Sequence, residues 1–233
     1  GGSDPSFEEG GVAKFVQAEN RWLNVSNVDH PVIGHPNDTG TSRVSDIVAE
    51  ATGRLWMATG RGALSLDPAV GASSLVKYDA TNSTLPGGWT EDVELAPDGT
   101  LWFAARSTFW GGGGIARYSP TTDTWSAWPA VGEHLSAQPK PGGGYYVWNG
   151  EPANGPVQRF DSTTQSWTLL PMTGAAGEVV GLMGKDCTDA AGNFWALRVS
   201  APGDFHSLDY RRPDGVWVSP PEPYPSVTFE PWV

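Results

Sequence analysis

Cysteine is almost absent. Cys187 is the single one in 233 residues, so no internal disulfide can form and no cysteine-rich zinc site can be built. That count fits a secreted bacterial protein and a cytosolic one alike. Basic residues are also scarce: 14 Lys and Arg stand against 26 Asp and Glu, a formal net charge of -12. Nucleic acid and anionic membrane require a basic stripe, so the charge argues against both as partners. The acidic balance favours solubility and cationic ligands or bound cations. No apolar run approaches the ~18 residues of a membrane-spanning helix. Helical periodicity is missing, because apolar residues never hold the i, i+3, i+4, i+7 pattern over successive turns. Nucleophile elbow, Walker loop and HExxH motif are absent too. Gly111–Gly114 has no following Lys or helix, so it reads as loop. The chain opens without a charged and then apolar leader, which predicts that any signal peptide was removed or never existed. Gly1-Gly2-Ser3 reads as native loop or as a scar.

What the chain does have is Gly (30), Pro (20) and Trp (12). A disordered Gly/Pro chain lacks such aromatic content, whereas a turn-rich all-β fold has it. Apolar runs are short and bounded by Gly, Pro, Asp or Ser, which reads as strand and turn. They recur. An aromatic residue is followed seven positions later by Trp at Phe15/Trp22, Tyr118/Trp125, Phe160/Trp167 and Tyr210/Trp217, and Tyr78 keeps the spacing with Leu85. A second marker, a turn leading into an aromatic strand, lies earlier in each unit at Trp56, Trp102, Tyr146 and Trp195. Asp46 and Asp92 stand ten residues before Trp56 and Trp102. Lys185 holds that place before Trp195, and His134 holds it in the unit with the longer Pro-Gly turn.

A period of about 40 to 50 residues with four short strands per unit is that of propeller blades. The expected fold is an all-β, single-domain β-propeller (1–233) of four-stranded antiparallel blades at 45–86, 90–129, 133–171 and 183–219. A fifth blade would be composite, with strands three and four at 10–24 and strand one at 225–231, closing the ring through the chain's ends. Its second strand is missing. Either Ser3–Glu9 improvises it, or the chain is cut from a longer protein, a larger propeller included; the stop inside a turn favours the cut.

The stretch PDGTLWFAA…GIARYSPTTDTW, residues 97–125, resembles the propeller repeats of streptogramin-lyase-like proteins and the two-component-regulator propeller repeats of bacterial periplasmic sensor domains. The likeness extends loosely over 45–217. It implies a propeller that serves as sensor, binding module or scaffold. The lyase side of it implies magnesium-assisted ring opening with a His general base, but that family's His-and-Glu motif has no counterpart here.

In a blade, the loop after strand two and the connection to the next blade share one face. The sequence predicts long loops there, at 25–44, 59–73, 105–114, 149–156 and 198–207, opposite tight turns on the other face. Rigid scaffolds carry binding on such loops, although long loops are also tolerated insertions. The starts of strand one would bring Asp46, Asp92, His134, Lys185 and Ser226 around the channel mouth. There they could bind a polar ligand or a divalent cation, form the His134, Asp46 and Asp92 site of a lyase, or simply be solvated and cap backbone. Trp22, Trp56, Trp102, Trp125, Trp167, Trp195 and Trp217 read as inter-blade core. Trp89, Trp110, Trp128, Trp148 and Trp232 fall off the repeat. Of these, Trp110 with Phe109, and Trp148, are candidates to stack on sugar or to anchor a protein; a lid over the channel is the other reading of Trp110. His30 and His35, flanked by Asp29 and Asp38, read as a transition-metal pair or as turn caps. His206 reads as structural, and Cys187 as a small buried hydrophobe. Sequons stand at Asn24, Asn37 and Asn82.

The function expected is a non-catalytic binding or sensor propeller outside the bacterial cytoplasm (secreted, periplasmic or cell-surface) that engages a protein or carbohydrate on its long-loop face. The alternatives are a lyase with its site at the channel mouth, and an assembly component that pairs another chain along an open blade edge.

Overall fold

The computed structural model describes residues 11–17, 20–26, 43–106, 113–129, 134–140, 143–150, 157–170, 187–188, 191, 193–201, 204–212, 214 and 216–219. Strands β1 (Gly11–Val16) and β2 (Arg21–Ser26) form a two-stranded sheet. Four antiparallel sheets of four strands follow. The first holds β3 (Val44–Ala49), β4 (Leu55–Thr59), β5 (Gly62–Leu66) and β6 (Val76–Tyr78). The next holds β7 (Trp89–Leu95), β8 (Leu101–Arg106), β9 (Gly113–Ser119) and β10 (Thr124–Pro129). Then come β11 (His134–Pro139), β12 (Tyr145–Gly150), β13 (Val157–Asp161) and β14 (Ser166–Leu170). The last holds β15 (Cys187–Thr188), β16 (Phe194–Ala201), β17 (Asp204–Arg211) and β18 (Trp217–Val218). Strands in each sheet lie side by side in chain order. In chain order the five sheets are blades one to five.

The seven-residue spacing has a structural cause. Phe15, Tyr118 and Phe160 lie directly opposite Trp22, Trp125 and Trp167 across the last hairpin of their blades. The turn between them places the residue two before the Trp in left-handed backbone: Asn20 at φ 48°, Asp123 at 51° and Gln165 at 53°. Asn and Asp accept that conformation better than other side chains. Blade five departs from the pattern, since Trp217 faces Arg211 and Tyr210 faces Val218.

Blade two departs further. The sequence places Tyr78 on strand three and a fourth strand near Leu85. Instead the chain turns back at once through Gly60 and Arg61, so Gly62–Leu66 becomes strand three and Tyr78 falls on strand four. Gly62, at φ 111°, makes this possible. Leu85 is nonetheless buried in the same core as Trp56.

Alternate residues of one strand fill two different seams between blades. On β8, Phe103 packs toward blade two and Trp102 toward blade four. In the seam between blades two and three, Trp56 lies 5.2 Å from Tyr78 and 4.9 Å from Tyr118, while Tyr78 meets Trp125 at 5.3 Å. In the next seam Trp102 stacks on Trp128 at 5.4 Å and tilts against Phe160 at 4.9 Å. Trp128, off the sequence repeat, is thus core as well. Met57, Leu64 and Leu66 cover the other face of blade two, against Val12 and Val25 of blade one. Blades one to four therefore pack in succession. The strand expected at 225–231, and any contributed by Ser3–Glu9, lie outside the described residues. Among the described residues no helix is long and apolar enough to cross a membrane.

Candidate functional site

The structure brings two of the expected channel-mouth residues together. Asp46 and Asp92 each sit just after a register shift in the first strand of their blade. A bulge of this kind re-aims a side chain, and both carboxylates point to the next blade. Asp46 Oδ2 accepts the Val93 amide at 3.4 Å, and Asp92 Oδ2 accepts the Leu135 amide at 2.9 Å. Val93 and Leu135 hold equivalent places, each one residue past its own blade's Asp92 or His134. Arg43 ties the two bulges together: its Nε donates to Ser45 at 3.0 Å, and its guanidinium pairs with Glu91. Asp92 is only 2% exposed. Burial first, and then its hydrogen bond with Asp46, push its carboxyl up to about 8.

The described contacts of the two carboxylates at the channel mouth are backbone caps across blade seams. Among the described residues no group of three or more His, Cys, Asp and Glu side chains converges as a metal site would require. His134 opens β11, so its backbone adjoins the pair, but its side chain lies outside the described residues. Lys185, Ser226, Phe109, Trp110, His30 and His35 also lie outside them.

Trp148 corrects an expectation. It sits within β12 rather than opening a loop, and it is 4% exposed. Its ring lies 5.7 Å from the Arg159 guanidinium, which also covers Tyr146 at 4.4 Å. A ring so covered cannot stack on a ligand. The reason is register: Trp148 faces Arg159 on β13, as Trp102 faces Arg117 on β9.

The loops on the expected binding face are corrected in two places. Residues 59–73 contain β5, so the turn after strand two of blade two is only Gly60–Arg61. Residues 198–207 are mostly β16 and β17. That face is nevertheless where the structure forms a shallow, open groove of about 390 Å³. Gly60 and Arg61 form one wall. Lys77 in the middle of β6, Asp79, Ala80, Thr81 and Gly88 of the connection to blade three, and Trp89 at the start of β7 line the rest.

The groove's walls are held by their own side chains. Thr59 Oγ1 donates to the Gly62 carbonyl at 2.7 Å and accepts the Arg61 amide at 3.2 Å. Asp79 pairs with Lys77 at 2.8 Å and accepts the Thr81 amide at 2.8 Å. Lys77 and then Thr81 hold the Asp79 carboxyl down at about 2, so it stays charged. Asn82 accepts the Asp79 amide at 2.9 Å and donates to the Lys77 carbonyl at 2.8 Å. A half-buried indole beside two cations, one acid and a hydroxyl suits a ligand with an apolar face and polar substituents. The sequence signal for this site was slight: Trp89 falls off the repeat, and Arg61 stands between two glycines.

No family model matches the chain, and no curated protein matches it. Solved structures do. The chain is similar to the extracellular domain of a hybrid two-component system from B. thetaiotaomicron, at TM-score 0.60 and 14% identity over 90% of this chain and 27% of that one. It is similar to PorZ, a surface component of the type-IX secretion system of Porphyromonas gingivalis, at TM-score 0.59 and 15% identity over 90% of this chain and 31% of that one. It is similar to regucalcin, a calcium-binding protein from Agrobacterium tumefaciens, at TM-score 0.54 and 16% identity over 93% of this chain and 70% of that one. The fold is a β-propeller. At these identities the likeness carries the fold and no activity. The chain spans less than a third of the length of the first two structures.

Proposed function

We propose that this propeller is a non-catalytic binding module outside the bacterial cytoplasm, engaging a carbohydrate or protein ligand in the groove bounded by Arg61, Lys77 and Trp89. The groove itself carries the reading: it lies on the face where blade connections meet, and its walls are held by short side-chain hydrogen bonds. The carboxylates that a channel-mouth lyase would use are engaged with backbone amides of neighbouring blades. Fold neighbours that include the extracellular domain of a two-component system and a bacterial surface component support the location and the binding role.

The test is a saccharide array and a peptide array probed with labelled protein. A ligand found on either should bind at least tenfold more weakly to Trp89→Ala and to Arg61→Ala, a loss of about 1.4 kcal/mol or more. Unchanged melting of both variants would show the scaffold intact. Silence on both arrays, or ligands indifferent to both substitutions, rejects the reading.

A further inference from the structure

We propose that the groove selects a carboxylated sugar, a hexuronate residue of a saccharide, with the sugar ring on Trp89 and the carboxylate toward Arg61 and Lys77. This rests on the groove being the binding site, and it names the class of ligand. The selection follows from which hydrogen-bonding groups the walls have already used. The carboxylate and amide acceptors are engaged within the protein. Asp79 Oδ1 accepts the Thr81 amide at 2.8 Å and the Thr81 hydroxyl at 2.5 Å, and its Oδ2 meets Lys77 at 2.8 Å. Asn82 Oδ1 accepts the Asp79 amide at 2.9 Å, and the Lys77 carbonyl accepts the Asn82 side-chain amide at 2.8 Å.

What the walls retain is donors. The Lys77 ammonium has three N–H groups, of which Asp79 takes one. The Arg61 guanidinium has five in a planar fork, so it can hold a carboxylate in addition to contacts within the protein. Two cations therefore line the groove against one acid, and that acid is already paired. The chain as a whole has the opposite balance, 14 basic residues against 26 acidic. A cationic ligand would have to compete with Lys77 for Asp79. An anionic ligand meets two cationic donors, and hydrogen bonds between ions are about twice as strong as those between neutral groups.

Trp89 sets the rest of the ligand. It is half-buried at the start of β7, so part of its ring faces the groove. Space beside it is open, because a Cβ added at Gly88 would meet nothing within 4 Å. Anchor side chains of protein partners bind in deep, fully desolvated pockets, and this groove is shallow. A pyranose needs no such depth. It lays an apolar C–H face on an indole and keeps its polar groups at the rim. In a hexuronate the carboxylate stands on that rim, where the cations of the wall can reach it.

The experiment is calorimetric titration of the whole chain with glucuronate, galacturonate and mannuronate trisaccharides, each beside its methyl ester and its neutral hexose counterpart. The ester keeps the ring and removes the charge, so this comparison needs no variant. At least one uronate should bind about tenfold or more tighter than its ester and its neutral counterpart, and added salt should weaken the uronate alone. Arg61→Gln should bring the uronate down to the level of its ester. Trp89→Ala should weaken uronate and ester together. Equal binding of every uronate and its ester, lost in Trp89→Ala, would overturn the selection for a carboxylate and leave the groove as a binding site. An acidic peptide bound in place of all the saccharides, and lost in Trp89→Ala, would overturn the sugar and likewise leave the groove standing. Uronate binding that neither substitution changes would overturn both this inference and the groove, as would silence of every saccharide and peptide.

Discussion

Trp102→Ala should lower the unfolding free energy by about 3–5 kcal/mol, the range for emptying a large aromatic site in a core. Trp102 is wholly buried. It meets Trp128 at 5.4 Å, Phe160 at 4.9 Å and Trp167 at 6.3 Å, and its indole nitrogen donates to Thr100 at 3.3 Å. Arg117 lies 5.7 Å from its ring. These partners come from two blades, so the cavity would open in the seam rather than within one sheet. A seam cannot collapse easily, because each wall is a hydrogen-bonded sheet that moves as a unit. Guanidinium unfolding with near-ultraviolet circular dichroism measures the loss. Leu169→Ala, at a residue 62% exposed, is the control and should stay within about 0.5 kcal/mol. A Trp102→Ala loss below about 1 kcal/mol would mean that the seam between blades three and four is not the core described here.

Gly62→Ala should cost roughly 2–6 kcal/mol. Two effects add. Gly62 lies at φ 111°, where a side chain is strained by about 1–3 kcal/mol. An added Cβ would also stand 2.2 Å from the backbone carbonyl oxygen of Tyr78. Backbone cannot rotate away as a side chain can, so β5 and β6 would have to part, at about 1–3 kcal/mol for overpacking. Parting them also disturbs Tyr78, which stacks on Trp56. Gly53→Ala separates the two effects: its φ is 87°, but an added Cβ meets nothing within 4 Å. It should cost only about 1–2 kcal/mol. Equal losses for the two variants in denaturant unfolding would refute the contact with Tyr78.

Much of the blade architecture is written locally. The seven-residue step from aromatic to Trp is the span of one hairpin, so a single stretch carries it. The same is true of turns such as Ala96–Gly99, where the Gly99 amide returns to the Ala96 carbonyl at 2.9 Å. Blades three and four follow these signals closely. Blade two misleads because its Tyr78–Leu85 spacing copies the marker while Gly60-Arg61-Gly62 closes an earlier hairpin. A spacing rule cannot see which of two competing turns the chain takes; the energy of the whole sheet decides that.

The site residues were less legible, for a related reason. Asp46 and Asp92 stand out by their equal distance from Trp56 and Trp102, but their partners Val93 and Leu135 lie more than forty residues away. Trp148 looks like the start of a loop until β13 sets Arg159 opposite it. The groove joins a turn of blade two to the connection entering blade three, and no local pattern links Arg61 with Trp89. By itself the sequence determined the all-β class, the repeat and most of the tryptophans that fill the seams, because strand, turn and hairpin are set by neighbours along the chain. Only the tertiary structure decided that two acidic residues cap amides of adjacent blades, that Trp148 is covered and that Trp89 borders a groove, because each depends on which blades meet and in what register.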